Sequence, residues 1–486
     1  MTATTTTSGL AGDADASVIT QLETLFAAQN KAFRSNGAPS IEERRAHLGS
    51  LAQMLFVNRE RIQQALISDF AVHPKQFTDL AEVLGIAGQA MYASEHLEEW
   101  AAPEERFIDP QAFGSAQAMI HYQPKGVVGV ISPWNLPFLL SLGPVVDMLA
   151  AGNRVIIKPS EHTPACSTLL QEMIAETFES DHVAVVCGGL ELAKSFPKLA
   201  WDHLLYTGNS AVGREIALAA AQNLVPVTLE LGGKNPVIVH SDSVNAETVA
   251  QIIGCKMVKN GQLCITPDYC LVPRDQVAEF VELAKKYLAD CLPGYAGSSD
   301  CVGVVSDRHL DRLIDMLQEA GEQGGVIVDL EPGAQVNRDT RQMPMSIVLD
   351  PPDDVRVMQE EIFGPILPIK SYDSIDEAIE YVNSGERPLG LYVFTEDQSV
   401  AEHVLDRTVS GGACVNTCAI QGSLPSLGFG GSGASGYGRH RGIEGFREFS
   451  NTRGVVVRGE NDAIAAFFPP YAGLAQAIVS AAFGDE

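Results

Sequence analysis

The chain has 486 residues, 45% of them hydrophobic, with 44 Gly and 26 Pro; that is more than one core serves, so a globular protein of two or three domains is expected. A formal net charge of −28 repels a phosphate backbone and argues against a nucleic-acid partner, and no segment reaches the roughly 18 consecutive apolar residues of a membrane span. Nine cysteines, an odd number without a C-x-x-C pair, argue against a disulfide framework or a zinc site, and for a reducing compartment, the cytoplasm.

Residues 1–17 are rich in Thr, Ala and Gly and are expected to be disordered. They have neither the basic nor the apolar region of a secretory signal. From residue 18 to about 104 the period is helical; IEERRAHLGSLAQMLFVNRERIQQALISDF spaces apolar residues by three and four. After Phe113 the texture changes. AQAMIHYQPKGVVGVISP reads as strand, turn, strand, followed by the helix SLGPVVDMLAAGN and the strand RVIIKPS. The helix TPACSTLLQEMIAETF, the strands HVAVVCGG and DHLLYTGN and the helix SAVGREIALAAAQ continue the rhythm. Strands alternating with helices imply a parallel, doubly wound α/β sheet, which takes ligands at the carboxyl ends of its strands. A second alternation follows Glu230 (PVIVH, YCLVP, GVIVDL, MSIVLD, LYVFT) and reads as a second α/β domain. The strand TRGVVVRG comes near the end, and the tail YAGLAQAIVSAAFGDE reads as a surface segment.

Five stretches offer chemistry. Gly431–Gly436 matches G-x-G-x-x-G, but no clear strand precedes it and no clear helix follows, so it reads as a structural loop. YTGNSAVGRE follows a strand and opens a helix at about Ser210, where free N–H groups favour an anion. IIKPSE puts Lys158 and Glu161 at a strand's carboxyl end, as ligands for ribose or phosphate or as a solvated pair. LELGGKNP ends an apolar strand on Glu230, a carboxylate that is either paired or poised as a base. KNGQLCITPDYC holds two thiols; Cys270 falls within a strand and reads as core, which leaves Cys264 as the candidate nucleophile.

Taken together and in order, ISPWNLP, IIKPSE, YTGNSAVG, LELGGKNP, NGQLCITPDY, EEIFGP and LGFGGSGASGYG resemble the ordered motifs of the aldehyde dehydrogenase superfamily, from about residue 40 to 456. PDYCLVP and HRGIEGFREFS resemble its class 3-like branch, which includes the coniferyl aldehyde dehydrogenases. The resemblance implies a Rossmann-type cofactor domain (18–106 and 126–231), an α/β catalytic domain (232–433), a small β bridging element for oligomerisation (107–125 and 446–459) and a tail (460–486). It implies oxidation of an aldehyde to the acid through a thiohemiacetal and a thioester on Cys264. Asn135 and the Cys264 backbone N–H would serve as oxyanion donors, Glu230 as general base, and no metal would take part. Ile131, Ser132, Pro133, Trp134, Lys158, Ser160, Glu161, Thr207, Gly208, Asn209, Val212, Gly213, Leu231, Gly232, Glu361 and Phe363 would hold the cofactor. That cofactor is NAD, with NADP open, since the Glu161 carboxylate would repel a 2′-phosphate. Leu136, Leu139 and Leu263 would form an apolar approach that favours an aromatic or medium-chain aldehyde. A homodimer is implied as well. A coenzyme A-acylating relative and a non-catalytic protein of the same fold are the alternatives.

The chain departs from the family pattern at Asn209, where Ser is usual, at Lys259, five residues before the cysteine, where Asn is usual, and at Leu263, where Thr is usual; the loop SLPSLGFGG also reads as longer than usual. A cation at Lys259 would either lower the Cys264 pKa or point away.

Overall fold

The computed structural model describes residues 8–460 and 463–484. The alternation that begins at Gly126 folds into two separate sheets. One has six strands in the order Gly436–Tyr437, Val227–Leu231, His203–Gly208, Val127–Ile131, Arg154–Lys158, Val183–Val185, all neighbours parallel except the first pair. The chain moves outward from Val127–Ile131 to Val183–Val185, then crosses back and builds the other half. Strand order therefore reverses between Val127–Ile131 and His203–Gly208, and a crevice opens there at the carboxyl ends.

The second sheet has seven strands in the order Val326–Asp329, Ser346–Leu349, Ile366–Tyr372, Tyr269–Pro273, Pro236–Val239, Gly390–Phe394, Gly412–Val415, again parallel apart from the first pair. Its central strands are buried along their length, which explains continuous apolar runs such as YCLVP. A third sheet of three antiparallel strands joins Glu104–Arg106, Gln117–Pro124 and Ser450–Val457. The segment 126–231 thus supplies all of the first sheet but Gly436–Tyr437, and 232–433 the whole of the second.

Ser40 and Glu43 form a reciprocal cap that opens the helix Ile41–Val57, whose Leu48, Leu51 and Leu55 are fully buried. The helix Leu139–Ala151 is buried almost throughout and closes, as expected, on Gly152 in the left-handed region (φ +91°). Of the segment expected to be disordered, residues 1–7 lie outside the described residues, and Ser8 opens a helix to Asn36. That helix is held by its second half, where Leu22 is buried and the Phe26 ring meets Trp201 at 4.8 Å. Near the other end, Leu474–Phe483 is an exposed helix. No described helix is long and apolar enough to cross a membrane.

Candidate active site

Loops at the carboxyl ends of four neighbouring parallel strands carry most of the residues singled out as cofactor ligands. Ile131 ends one strand, and Ser132, Pro133 and Trp134 follow it; the Ser132 N–H donates to Lys158 O at 3.1 Å, joining this loop to the next strand. Lys158 is buried, its Nζ 3.0 Å from Glu161 Oε2, while the Glu161 side chain is half exposed. Ser160 Oγ accepts from His162 N at 3.2 Å and shapes the turn between them. Burial raises the Glu161 pKa, but a backbone N–H and Lys158 outweigh it and leave the carboxyl below its usual value.

Thr207 and Gly208 end the strand on the other side of the crevice, and Asn209 caps the helix Ser210–Ala221, its Oδ1 accepting from Val212 N at 2.9 Å. An amide oxygen here does what a serine hydroxyl would, so the departure at Asn209 keeps the cap. Val212 is exposed on the first turn, and Gly213 lets the helix close on Leu231: a Cβ there would meet that side chain at 2.8 Å. Gly232 leaves room for Glu361, whose carboxylate oxygen would lie 2.0 Å from a Cβ. Phe363, held at φ +53°, sets its ring against Trp134 at 5.2 Å. Buried Thr207 Oγ1 and Glu361 Oε1 have no hydrogen-bond partner, and buried polar atoms of that kind suit a ligand that brings hydroxyls. A dinucleotide with its two riboses fits this donor and acceptor set.

Cys264 lies in the loop between the helix Ala246–Met257 and the strand Tyr269–Pro273. It is half-buried and lines a cavity of about 630 Å³ together with Leu136, Leu139 and Leu263. Cys270 is fully buried in the strand. The two loops meet where Asn135 Nδ2 donates to Gln262 O at 3.2 Å, two residues before Cys264. Burial, then the carboxylates of Glu361 and Glu230, push the Cys264 thiol up to about 12, against its own backbone N–H and Arg441. Cys264 therefore rests as a neutral thiol. Iodoacetamide labelling of Cys264 in cofactor-free protein should accelerate about tenfold per pH unit between about pH 7 and about pH 9, because only the thiolate reacts; a plateau near neutrality would contradict this.

Glu230 sits in the strand Val227–Leu231, 2% exposed, with neither carboxylate oxygen hydrogen-bonded. Burial holds its pKa well above the usual value, against Arg439 and Arg441 and with help from Glu448. The glycine loop supports this strand. Gly436 pairs with Glu230 at φ +121°, and a Cβ on it would lie 1.9 Å from Leu229 O. G-x-G-x-x-G here is thus a close-packing device.

Lys259 turns toward Glu82 and His73 and is buried against them, while Glu361, Glu230 and Arg441 are the charged side chains that shift the Cys264 thiol. Four residues that the sequence reading passed over frame the site. Asn235 donates to Cys264 O (2.8 Å) and Thr266 O (3.0 Å) and accepts from Gly390 N. Gln262 binds Lys259 O, Gly303 O and Val305 N. Asp268 accepts from Ile362 N at 2.9 Å, next to Glu361, and Arg441 lines the cavity. Asn235 and Asp268 fall inside the quoted stretches LGGKNP and TPDY, but the backbone groups they bind lie 29 to 155 residues away in the chain. Among the described residues no group of three or more His, Cys, Asp or Glu is placed to hold a metal.

Residues 4–455 match the family model described as the aldehyde dehydrogenase family. The coniferyl aldehyde dehydrogenase of Pseudomonas sp. is 38% identical over 96% of this chain and 97% of its own. The substrate-bound structure of Staphylococcus aureus AldH superposes with a TM-score of 0.88 at 31% identity, covering 94% of this chain and 99% of that one. An aldehyde dehydrogenase of Mycobacterium tuberculosis complexed with NAD+ gives 0.81 at 27% identity, covering 93% and 91%.

Proposed function

The chain belongs to the aldehyde dehydrogenase family and is an NAD(P)-dependent aldehyde dehydrogenase, and from that premise we propose which residues do the chemistry and which aldehydes they accept. The Cys264 thiol gives up its proton to solvent water, and the thiolate Sγ adds to the aldehyde carbon as the C=O π electrons move onto oxygen. Asn135 Nδ2 and the Cys264 backbone N–H receive the oxygen as it becomes negative. Donors fixed in advance matter because they meet charge that develops only in the transition state. When bound, the nicotinamide cofactor accepts the hydride. Glu230 takes a proton from the water that releases the acid from the Cys264 thioester. Lys158, Ser160 and Glu161 would hold the adenosine ribose, the Ile131–Trp134 loop and the Thr207–Gly213 turn would meet the phosphates, and Leu231, Gly232, Glu361 and Phe363 would hold the nicotinamide riboside.

The observation that carries the substrate reading is the cavity: about 630 Å³, reaching Cys264 past Leu136, Leu139 and Leu263. The leucines on its wall favour an aromatic or medium-chain aldehyde, coniferyl aldehyde-like, over a charged one, because they take apolar groups out of water and strip a charge of its hydration; Arg441 and Glu247 line the same cavity, and a charged semialdehyde tests them. The test is NADH formation with benzaldehyde, a hydroxycinnamaldehyde, hexanal, decanal and a charged semialdehyde, each with NAD and with NADP. A preference for the semialdehyde would refute the reading.

Glu161 supports NAD as the preferred cofactor. Glu161→Gln removes a charge that repels a 2′-phosphate and frees Lys158, so the ratio of kcat/KM for NADP over NAD should rise roughly tenfold. An unchanged ratio would place the adenosine ribose elsewhere. The proposed domains are 18–106 with 126–231 for the cofactor, 232–433 for catalysis, and 107–125 with 446–459 for bridging; the six-stranded and seven-stranded sheets support the second and third segments, while Glu104–Arg106 pairs with the bridging strands. Ser450–Val457 lies at the edge of its sheet with Val456 and Val457 exposed, which supports strand pairing in a homodimer. Nine free thiols support a cytoplasmic setting.

A further inference from the structure

Lys259 is a fully buried cation at the junction of the two loops that carry the oxyanion donors. Its Nζ lies 3.8 Å from Glu82 Oε1, 3.1 Å from His73 Nε2 and 4.1 Å from the centre of the Phe70 ring. Thr78 Oγ1 donates to Pro74 O (3.2 Å) and contacts His73 Nδ1 at 2.9 Å. The tautomer in which Nδ1–H donates to Thr78 Oγ1 leaves Nε2 as the acceptor for the ammonium. Glu82 Oε2 accepts from the N–H groups of Phe138 and Leu139, both at 2.9 Å. Those amides open the helix Leu139–Ala151, where a carboxylate also faces the positive end of the helix dipole. Asn135 lies three residues upstream of Phe138.

On the other side, Lys259 O accepts from Gln262 N at 3.2 Å and from Gln262 Nε2 at 3.1 Å, and Gln262 O accepts from Asn135. Lys259 and Asn260 are non-glycine residues at φ +50° and +52°, a strained conformation that persists only where its surroundings enforce it. Two apolar residues of similar volume would stabilise this spot as well as an ion pair does; what the pair adds is direction. It fixes the start of one loop against the end of the other.

We propose that the Lys259–Glu82 pair is a positioning element that sets the distance between the oxyanion donors Asn135 and the Cys264 N–H, an inference that rests on the roles assigned to those residues above. It gives the departure at Lys259 a role in place of an Asn, through the neighbouring loop and without contact with the substrate.

The test uses the full chain with NAD and one accepted aldehyde, comparing wild type, Lys259→Met and the charge-neutral double variant Lys259→Met/Glu82→Gln, in which the amide oxygen still accepts from Phe138 and Leu139. The first readout is kcat; the second is iodoacetamide alkylation of Cys264, a reaction that forms no oxyanion. The double variant should fold and lose at least about tenfold in kcat, since small misplacements at reacting atoms are costly, with alkylation within about twofold of wild type and KM for NAD unchanged. Turnover within about threefold of wild type overturns the proposal, as does alkylation that falls in step with turnover. A double variant that does not fold makes the pair a determinant of the fold alone and also overturns it; Lys259→Met by itself leaves Glu82 unpaired and is read only beside the double. Cys264→Ala in the same series separates the two readings. If it is inactive while the Lys259 variants turn over normally, the assignment of the nucleophile stands and the positioning role falls.

Discussion

Cys264→Ala should lose at least about a thousandfold in aldehyde-dependent NADH formation with every aldehyde in the panel, because no other group supplies the covalent intermediate. Among the residues lining the cavity, Cys255 and Cys418 are also thiols. Neither lies beside an oxyanion donor: Cys255 is in the helix Ala246–Met257, and Cys418 packs in the core of the seven-stranded sheet. Only Cys264 sits on the loop that Asn135 contacts. The binding of NAD should be unchanged in the alanine variant, since Lys158, Glu161 and Thr207 come from other strands. NADH formation within about tenfold of wild type would refute the nucleophile assignment. Loss of both turnover and cofactor binding would mean that the substitution disturbed the Asn235 and Glu361 loops that pack around Cys264.

The parallel strands were legible because burial on both faces writes itself as a run of β-branched residues; YCLVP was read at the boundaries seen in the structure, Tyr269–Pro273. Ile366–Tyr372 was not read, and the reason is local. Pro368 and Lys370 interrupt its apolar run, yet Pro368 sits in the parallel ladder opposite Val348, and Lys370 reaches out to Pro351 O and Asp353. The helix start at Ser210 was legible from a strand ending in Thr-Gly before a capping residue. At the site, the Cys264 thiol and the strand-end carboxylate Glu230 stand out by their own chemistry, and Asn135 enters through the family resemblance; the structure joins the loops of Asn135 and Cys264. Groups that act by holding backbone were missed. Asn235 matters for the Cys264 and Thr266 carbonyls it grips, 29 and 31 residues away, and no local pattern encodes a partner at that separation. The direction of Lys259 was open in the sequence for the same reason. Its partners, Glu82 and His73, precede it by more than a hundred and seventy residues.

Glu230→Gln should lower steady-state kcat by about a hundredfold to ten-thousandfold, the range for losing a general base, while keeping the first turnover. Gln fills the same space and leaves Cys264 and Asn135 in place, so the thioester still forms; it cannot take a proton from water, so the thioester persists. Rapid mixing should then show a burst of NADH close to one per active site, followed by a slow phase. The pH dependence follows from the environment of the carboxylate. Burial places its pKa well above the usual carboxylate value, and neither oxygen has a hydrogen bond to stabilise the anion. A general base works when ionised, so wild-type deacylation should rise with pH along a limb displaced upward from that of an ordinary Glu, and the limb should vanish in the Gln variant. A variant that loses the burst together with the steady state would assign Glu230 to activation of Cys264 instead, as the proton acceptor for a thiol that burial and two carboxylates hold neutral at rest. The two outcomes separate cleanly because only the second reduces the alkylation rate of Cys264.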